Sequence, residues 1–178
     1  MNVTRITAAA LALAALIPGS AALAHASFET PEAAAGTTYK AVLRIPHGCE
    51  GQATEKVHVR LPEGVFSVKP MPKAGWGLET VKASHAKTYM NHGKPVSEGV
   101  TEITWTGMLP DEWFDEFSFR GTIDPELDPG TTLYFVVTQT CAEGEVSWSE
   151  LPDPANPEAQ LDHPAVGLTI SAPEHAGH

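Results

Sequence analysis

Residues 131–141 read TTLYFVVTQTC, and this stretch decides the fold class. It is rich in β-branched and aromatic residues, which is typical of a β-strand. Its unbroken apolar centre, LYFVV, predicts a central strand that is covered on both faces. A strand of this kind needs neighbouring strands that bury their apolar side chains in the same core.

The rest of the chain supplies such neighbours. Apolar and polar residues alternate with a period of two in short segments that Pro, Gly, Asn or Asp bound. Beyond the amino-terminal leader, no segment keeps a helical period for more than about two turns. We therefore predict an all-β protein, an antiparallel β-sandwich. The predicted strands are 37–46, 56–62, 64–70, 78–84, 100–107, 114–123, 131–141 and 167–170, and His85 and His92 flank a predicted hairpin turn.

The amino terminus has the pattern of a secretory signal peptide. Arg5 supplies a positive charge, residues 8–17 are apolar, and small residues follow. The apolar run is shorter than the roughly 20 residues that a membrane-spanning helix needs. Cleavage after Ala24 makes His25 the first residue, whereas cleavage after Ala26 removes it. We favour the first position, because Leu is commoner than His in the middle of a cleavage motif.

Cleavage there divides the chain into a signal peptide (1–24), one β-sandwich domain (25–170) and a flexible tail (171–178). The tail, SAPEHAGH, has no apolar periodicity, and we expect no transmembrane anchor. The whole chain has 11 basic and 22 acidic residues, a formal net charge of −11. Such a charge argues against nucleic acid as a partner and is compatible with a cationic ligand.

Cys49 and Cys141 are the two cysteines of the chain. An even number of cysteines in an exported protein favours a disulfide. A two-cysteine copper site is the alternative that the sequence leaves open. The chain has no HExxH, CxxC or GxSxG motif, so neither a zinc hydrolase nor a serine hydrolase gains support.

His25 gains new chemistry if cleavage exposes its amine. A deprotonated α-amine and Nδ1 of the same histidine can close one chelate ring. Nitrogen ligands joined by a carboxylate suit Cu(II). The nearby carboxylates belong to Glu29 and Glu32, and Phe28 should face the core so that Glu29 faces outward. Trp148, past Cys141, and His163, in a Pro-rich loop, are further candidates.

The chain resembles the YcnI-like family of exported copper-binding proteins. The resemblance rests on HASFETPEAAAGTTYKAVLRIPHGCEG (25–51), VKPMPKAGWGLET (68–80), LPDEWFDEFSFRGTI (109–123) and VSWSELPDPANPEAQLDHPA (146–165). It implies a cupredoxin- or immunoglobulin-like sandwich that binds one Cu(II) per chain in a single-histidine brace. By position, His25 would supply its amine and ring nitrogen, Glu32 an oxygen, and Trp148 would close the site. Glu29 and His163 are the fallback ligands.

The resemblance further implies a periplasmic protein of copper trafficking or homeostasis, a copper chaperone without its own turnover. Its partners would be the copper ion and another copper-handling protein of the envelope. Two alternatives remain open at this point. One is an oxidative enzyme, in which a second histidine joins the amino-terminal one. The other is a metal-free scaffold or adhesion domain.

Overall fold

The computed structural model describes residues 25–173. The predicted signal peptide therefore lies outside the described residues, as do residues 174–178 of the predicted tail. Ser171, which we placed in the tail, instead ends the last strand. None of the described residues forms a helix long and apolar enough to cross a membrane.

The described residues form eleven strands in two sheets, which confirms the all-β sandwich. The smaller sheet has the order β1-β3-β8-β5, and the larger has the order β2-β11-β9-β4-β7-β6, with β10 added to β9. The strands are β1 (Ser27–Phe28), β2 (Glu32–Ala34), β3 (Thr38–Ile45), β4 (Thr54–Arg60), β5 (Val65–Pro70), β6 (Gly77–Asn91), β7 (Lys94–Leu109), β8 (Asp115–Ile123), β9 (Thr132–Cys141), β10 (Glu145–Trp148) and β11 (Val166–Ser171).

The first strand of the sandwich is divided between the two sheets. β1 pairs antiparallel with β3, whereas β2 crosses to the other sheet and pairs with β11. The β2–β11 pair is parallel, which is an exception to the predicted antiparallel arrangement. The amino-terminal segment thus connects both layers within a few residues.

Alternating apolar side chains of both sheets form the core. In β9, Leu133, Phe135 and Val137 point inward and are almost completely buried. This strand is central in its sheet, as predicted, but it is not covered on both faces. Tyr134 and Val136 are only half-buried because they lie on the outer face of the sheet.

β6 and β7 form a much longer hairpin than the sequence predicts. They turn at His92 and Gly93, whose φ values of 49° and 77° suit a two-residue turn of type I′. His92 is a turn residue, as expected. His85 instead lies inside β6, where the strand carries a register irregularity, and its ring packs against Tyr89 at 5.1 Å.

A disulfide joins Cys49, in the loop after β3, to Cys141, at the end of β9. The predicted disulfide is confirmed, and the two-cysteine copper site is wrong, because both thiols are used in the bond.

Candidate metal centre

Trp148 is the fixed point of the candidate site. It ends the short strand β10, which pairs with β9 so that Trp148 lies opposite Val137. Its side chain is buried, with 3% of its surface exposed. The indole Nε1–H donates to Gln139 Oε1 at 2.7 Å. The position of the indole is therefore set by both burial and a hydrogen bond.

Gln139 connects this indole to the loop that carries the disulfide. Its amide is 1% exposed and donates to the carbonyl of His47 at 2.9 Å and to the Thr54 hydroxyl at 3.0 Å. The backbone carbonyl oxygen of Gln139 lies 3.9 Å from Cys49 Sγ. A buried glutamine with satisfied hydrogen bonds is a rigid support, since moving it would leave buried polar groups unpaired.

Two histidine rings contact the indole of Trp148. The centroid of the His25 ring lies 5.6 Å from the indole centroid, with the planes inclined by 60°. The His163 ring lies 5.3 Å from the indole and nearly perpendicular to it, at 84°. His25 is half-buried, whereas His163 is exposed. The structure thus brings together three of the sequence-predicted candidates, His25, Trp148 and the fallback His163.

His163 reaches the indole because β10 and β11 pair with the same edge of β9. β10 pairs with the half of β9 near Cys141, and β11 pairs with the other half. Residues 149–165 form an excursion between them, which we name the proline-rich loop. Its base is closed by hydrogen bonds from the Ser149 and Glu150 amides to the His163 carbonyl, at 2.9 and 3.0 Å.

The structure does not bring Glu32 to this cluster. Glu32 pairs with Thr169, which lies opposite Thr132 on β9, whereas Trp148 lies opposite Val137. Five residues of an extended strand separate these two levels, about 17 Å along the sheet.

The amino-terminal segment agrees with this placement. β1 pairs with β3 in the smaller sheet, and the Glu29 amide still donates to the Val42 carbonyl at 2.9 Å. The chain then bends at Glu29 and Thr30 and enters the larger sheet at Glu32. Glu32 therefore lies beside β11, at the end of β9 away from Trp148.

The fallback carboxylate, Glu29, is engaged elsewhere. Phe28 faces the core and Glu29 the outside, as predicted. Arg44 donates from Nη2 to Glu29 Oε1 at 2.8 Å and from Nε to Glu116 Oε1 at 3.1 Å. A metal ligand at Glu29 would have to give up its ion pair with Arg44, which also pairs with Glu116.

The donor set around Trp148 therefore consists of imidazole nitrogens, which fit copper. Within residues 25–173, no group of three or more histidine, cysteine, aspartate or glutamate side chains is arranged to hold a metal ion. A complete coordination sphere at His25 thus requires its amine, which processing would create, or a movement of an exposed side chain.

The family described as "Domain of unknown function (DUF1775)" matches residues 25–170. The chain belongs to this family. DUF1775 is the YcnI-like family, so the resemblance seen in the sequence is confirmed at the level of the family. The match begins at His25, the residue that contacts Trp148. No curated protein matches the chain.

Two solved structures resemble this DUF1775 chain. An uncharacterized protein from Nocardia farcinica with an immunoglobulin-like fold is 26% identical, with a TM-score of 0.60. The alignment covers 83% of this chain and 98% of the other. A non-cellulosomal cohesin from the hyperthermophilic archaeon Archaeoglobus fulgidus is 10% identical, with a TM-score of 0.35 over 83% and 84% of the two chains. The first similarity supports an immunoglobulin-like β-sandwich.

Proposed function

We propose that this DUF1775 protein is exported, begins at His25 after processing, and binds one Cu(II) as cargo in the periplasm. Copper would be held by the amine and ring nitrogen of His25 and carried without chemical turnover. One observation carries the proposal: the His25 ring lies against Trp148, which Gln139 fixes in place. A disulfide near this site is compatible with an oxidising compartment.

Each residue has a physical role in this proposal. The His25 amine and Nδ1 belong to one residue, so their chelate ring closes without ordering a loop. Trp148 presents a buried apolar surface beside the ring and limits its orientations. Its Nε1–H is already donated to Gln139, so it contributes the indole rings rather than a polar atom. Glu32 has no role here, because the fold separates it from His25.

The test is stoichiometric Cu(II) binding by the processed protein. Intact mass first establishes that the purified chain begins at His25. Its two tail histidines, His175 and His178, are replaced by alanine to remove stray binding. We expect one Cu(II) per chain in competition titrations against a chelator. Tight binding should be lost in His25→Ala and in a chain with one alanine added before His25.

A matched control replaces a histidine far from the site. His92→Asn keeps a residue that tolerates positive φ at the hairpin turn, and it should bind Cu(II) as the parent does. An extended chain with unchanged affinity and spectrum would refute the histidine brace. A processed protein that takes up no Cu(II) would refute the copper function and favour a metal-free scaffold.

The placement of His163 beside Trp148 is the observation that favours the enzymatic alternative. In that alternative a second histidine joins His25, and the reduced copper form reacts with oxygen. Peroxide release together with polysaccharide cleavage by the reduced, copper-loaded protein would support the enzyme. A copper-loaded protein that releases no peroxide above free copper would support the carrier.

A further inference from the structure

We propose that His163, carried by the proline-rich loop, is the second imidazole ligand of the copper ion held by His25. This inference rests on the proposed function, since His25 must bind copper first. It replaces the expected glutamate ligand with a nitrogen ligand and changes a single-histidine brace into a two-histidine site. The inference concerns the ligands alone: a carrier can also hold copper through two histidines, and the peroxide test above separates the carrier from the enzyme.

The imidazoles of His25 and His163 contact the same indole, that of Trp148. Each ring centroid lies within 5.6 Å of the same buried indole. The two histidines do not compete for the indole Nε1–H, because Gln139 accepts it. Among the described residues neither imidazole donates or accepts a hydrogen bond, so the ring nitrogens of both are open to other partners.

The backbone of His163 is held by hydrogen bonds, whereas its ring is held only by its contact with Trp148. Its N–H donates to Glu150 Oε2 at 2.9 Å, and its carbonyl accepts two backbone N–H groups at the base of the loop. Two residues further on, the Ala165 amide donates to the Glu150 carbonyl at 2.8 Å, within a bridge between Glu150 and Pro164. Within residues 25–173, no hydrogen bond or ion pair involves the His163 imidazole. Side-chain rotation alone can redirect this ring, so binding would order few additional groups.

Three glutamates near this part of the fold, Glu32, Glu29 and Glu150, do not offer a better ligand. Glu32 lies about 17 Å away along the sheet, and Glu29 is paired with Arg44. Glu150 already accepts the His163 N–H. Imidazole is a preferred ligand of Cu(II), and three nitrogens suit its tetragonal geometry. His163 is therefore our candidate for the ligand that joins His25.

The experiment counts imidazole ligands by electron spin echo envelope modulation of the Cu(II)-loaded protein. The remote nitrogen of each coordinated imidazole modulates the echo, and two coordinated rings add combination lines that one ring lacks. The parent, in the background without His175 and His178, should show the two-ring pattern. His163→Ala should show the one-ring pattern.

The affinity gives a second readout. Loss of an outer-shell partner commonly weakens metal binding about 10–100-fold, so loss of a direct ligand should weaken it at least about tenfold. His92→Asn is the matched control and should keep the parent spectrum and affinity. Because His163 is exposed, His163→Ala should unfold at the parent's urea midpoint when metal-free.

The possible failures are distinguishable. If the parent binds no Cu(II), or if His25→Ala binds as the parent does, the proposed function fails and this inference fails with it. If His25→Ala loses the metal while His163→Ala keeps the parent spectrum and affinity, His163 is only an aromatic neighbour of Trp148. That result would overturn this inference and leave the histidine brace intact.

Discussion

Replacing Gln139 by methionine tests whether the support of Trp148 is as rigid as its hydrogen bonds indicate. Methionine has a similar length and volume, so Gln139→Met removes the amide without opening a large cavity. It removes the acceptor of the Trp148 Nε1–H and the donor to the Thr54 hydroxyl and the His47 carbonyl. The substitution therefore isolates the polar contribution of one side chain.

The expected cost follows from the burial of the partners. Trp148 is 3% exposed and Thr54 is fully buried, so water cannot replace the amide at either. Leaving a buried donor or acceptor unpaired costs about 1–3 kcal/mol. The half-buried His47 can recover part of its loss from solvent. Two buried partners give a loss of about 2–6 kcal/mol in the free energy of unfolding.

Urea unfolding of the metal-free protein, followed by far-UV circular dichroism, measures this loss. Gln160→Met is the matched control, since Gln160 is exposed in the proline-rich loop, and it should change stability by less than about 0.5 kcal/mol. Gln139→Glu should lose at least as much as Gln139→Met, because a buried carboxylate is costly to desolvate and would face the His47 carbonyl. A loss below about 1 kcal/mol in Gln139→Met would refute the reasoning.

Three further predictions concern the rest of the sandwich. The double variant Cys49→Ser/Cys141→Ser opens a crosslink across a sequence separation of 92 and should lose up to about 4–5 kcal/mol in urea unfolding, so unchanged stability would contradict it. Burial, reinforced by a hydrogen bond to a carboxylate, raises the pKa of Tyr89 to about 12; its stabilising effect should be complete below about pH 10 and lost as the pH rises towards 12. Tyr89→Phe should therefore lose less stability between pH 10 and 12 than the parent does. Urea midpoints measured between pH 9 and 12 test this, and the same pH profile in both proteins would count against it. Gly107→Ala would place a Cβ 2.4 Å from Trp76 Cδ2, so it should displace the indole, cost about 1–3 kcal/mol and shift tryptophan emission to the red, whereas an unshifted spectrum would show that the strand can yield.

The period of two was sufficient to predict most strands, because half-buried sheets impose it directly. It was insufficient at the amino terminus. Phe28 and Glu32 belong to different sheets, and a chain that crosses between layers leaves no mark in the alternation. We placed Glu32 near His25 on sequence proximity and on the family resemblance, whereas the crossing to the other sheet carries it away.

The sequence predicted the residues that form the cluster better than it predicted Gln139, which holds Trp148 in place. Trp148 and His163 were candidates, but their contact depends on two strands sharing one edge of β9, which is a property of the sheet. Gln139 was missed although the sequence carries a signal. It occupies an inward position of β9, between Val137 and Cys141, where a polar side chain must find buried partners.

The division of the first strand has a consequence for the order of folding. β2 pairs with β11 across almost the whole domain, and His25 meets an indole that is distant in sequence. Contacts between residues so far apart in the sequence form slowly, because a long loop must close before they stabilise the chain. A partly synthesised chain therefore lacks the contact between His25 and Trp148. Any metal that this contact helps to hold can be captured only after both ends of the chain have docked.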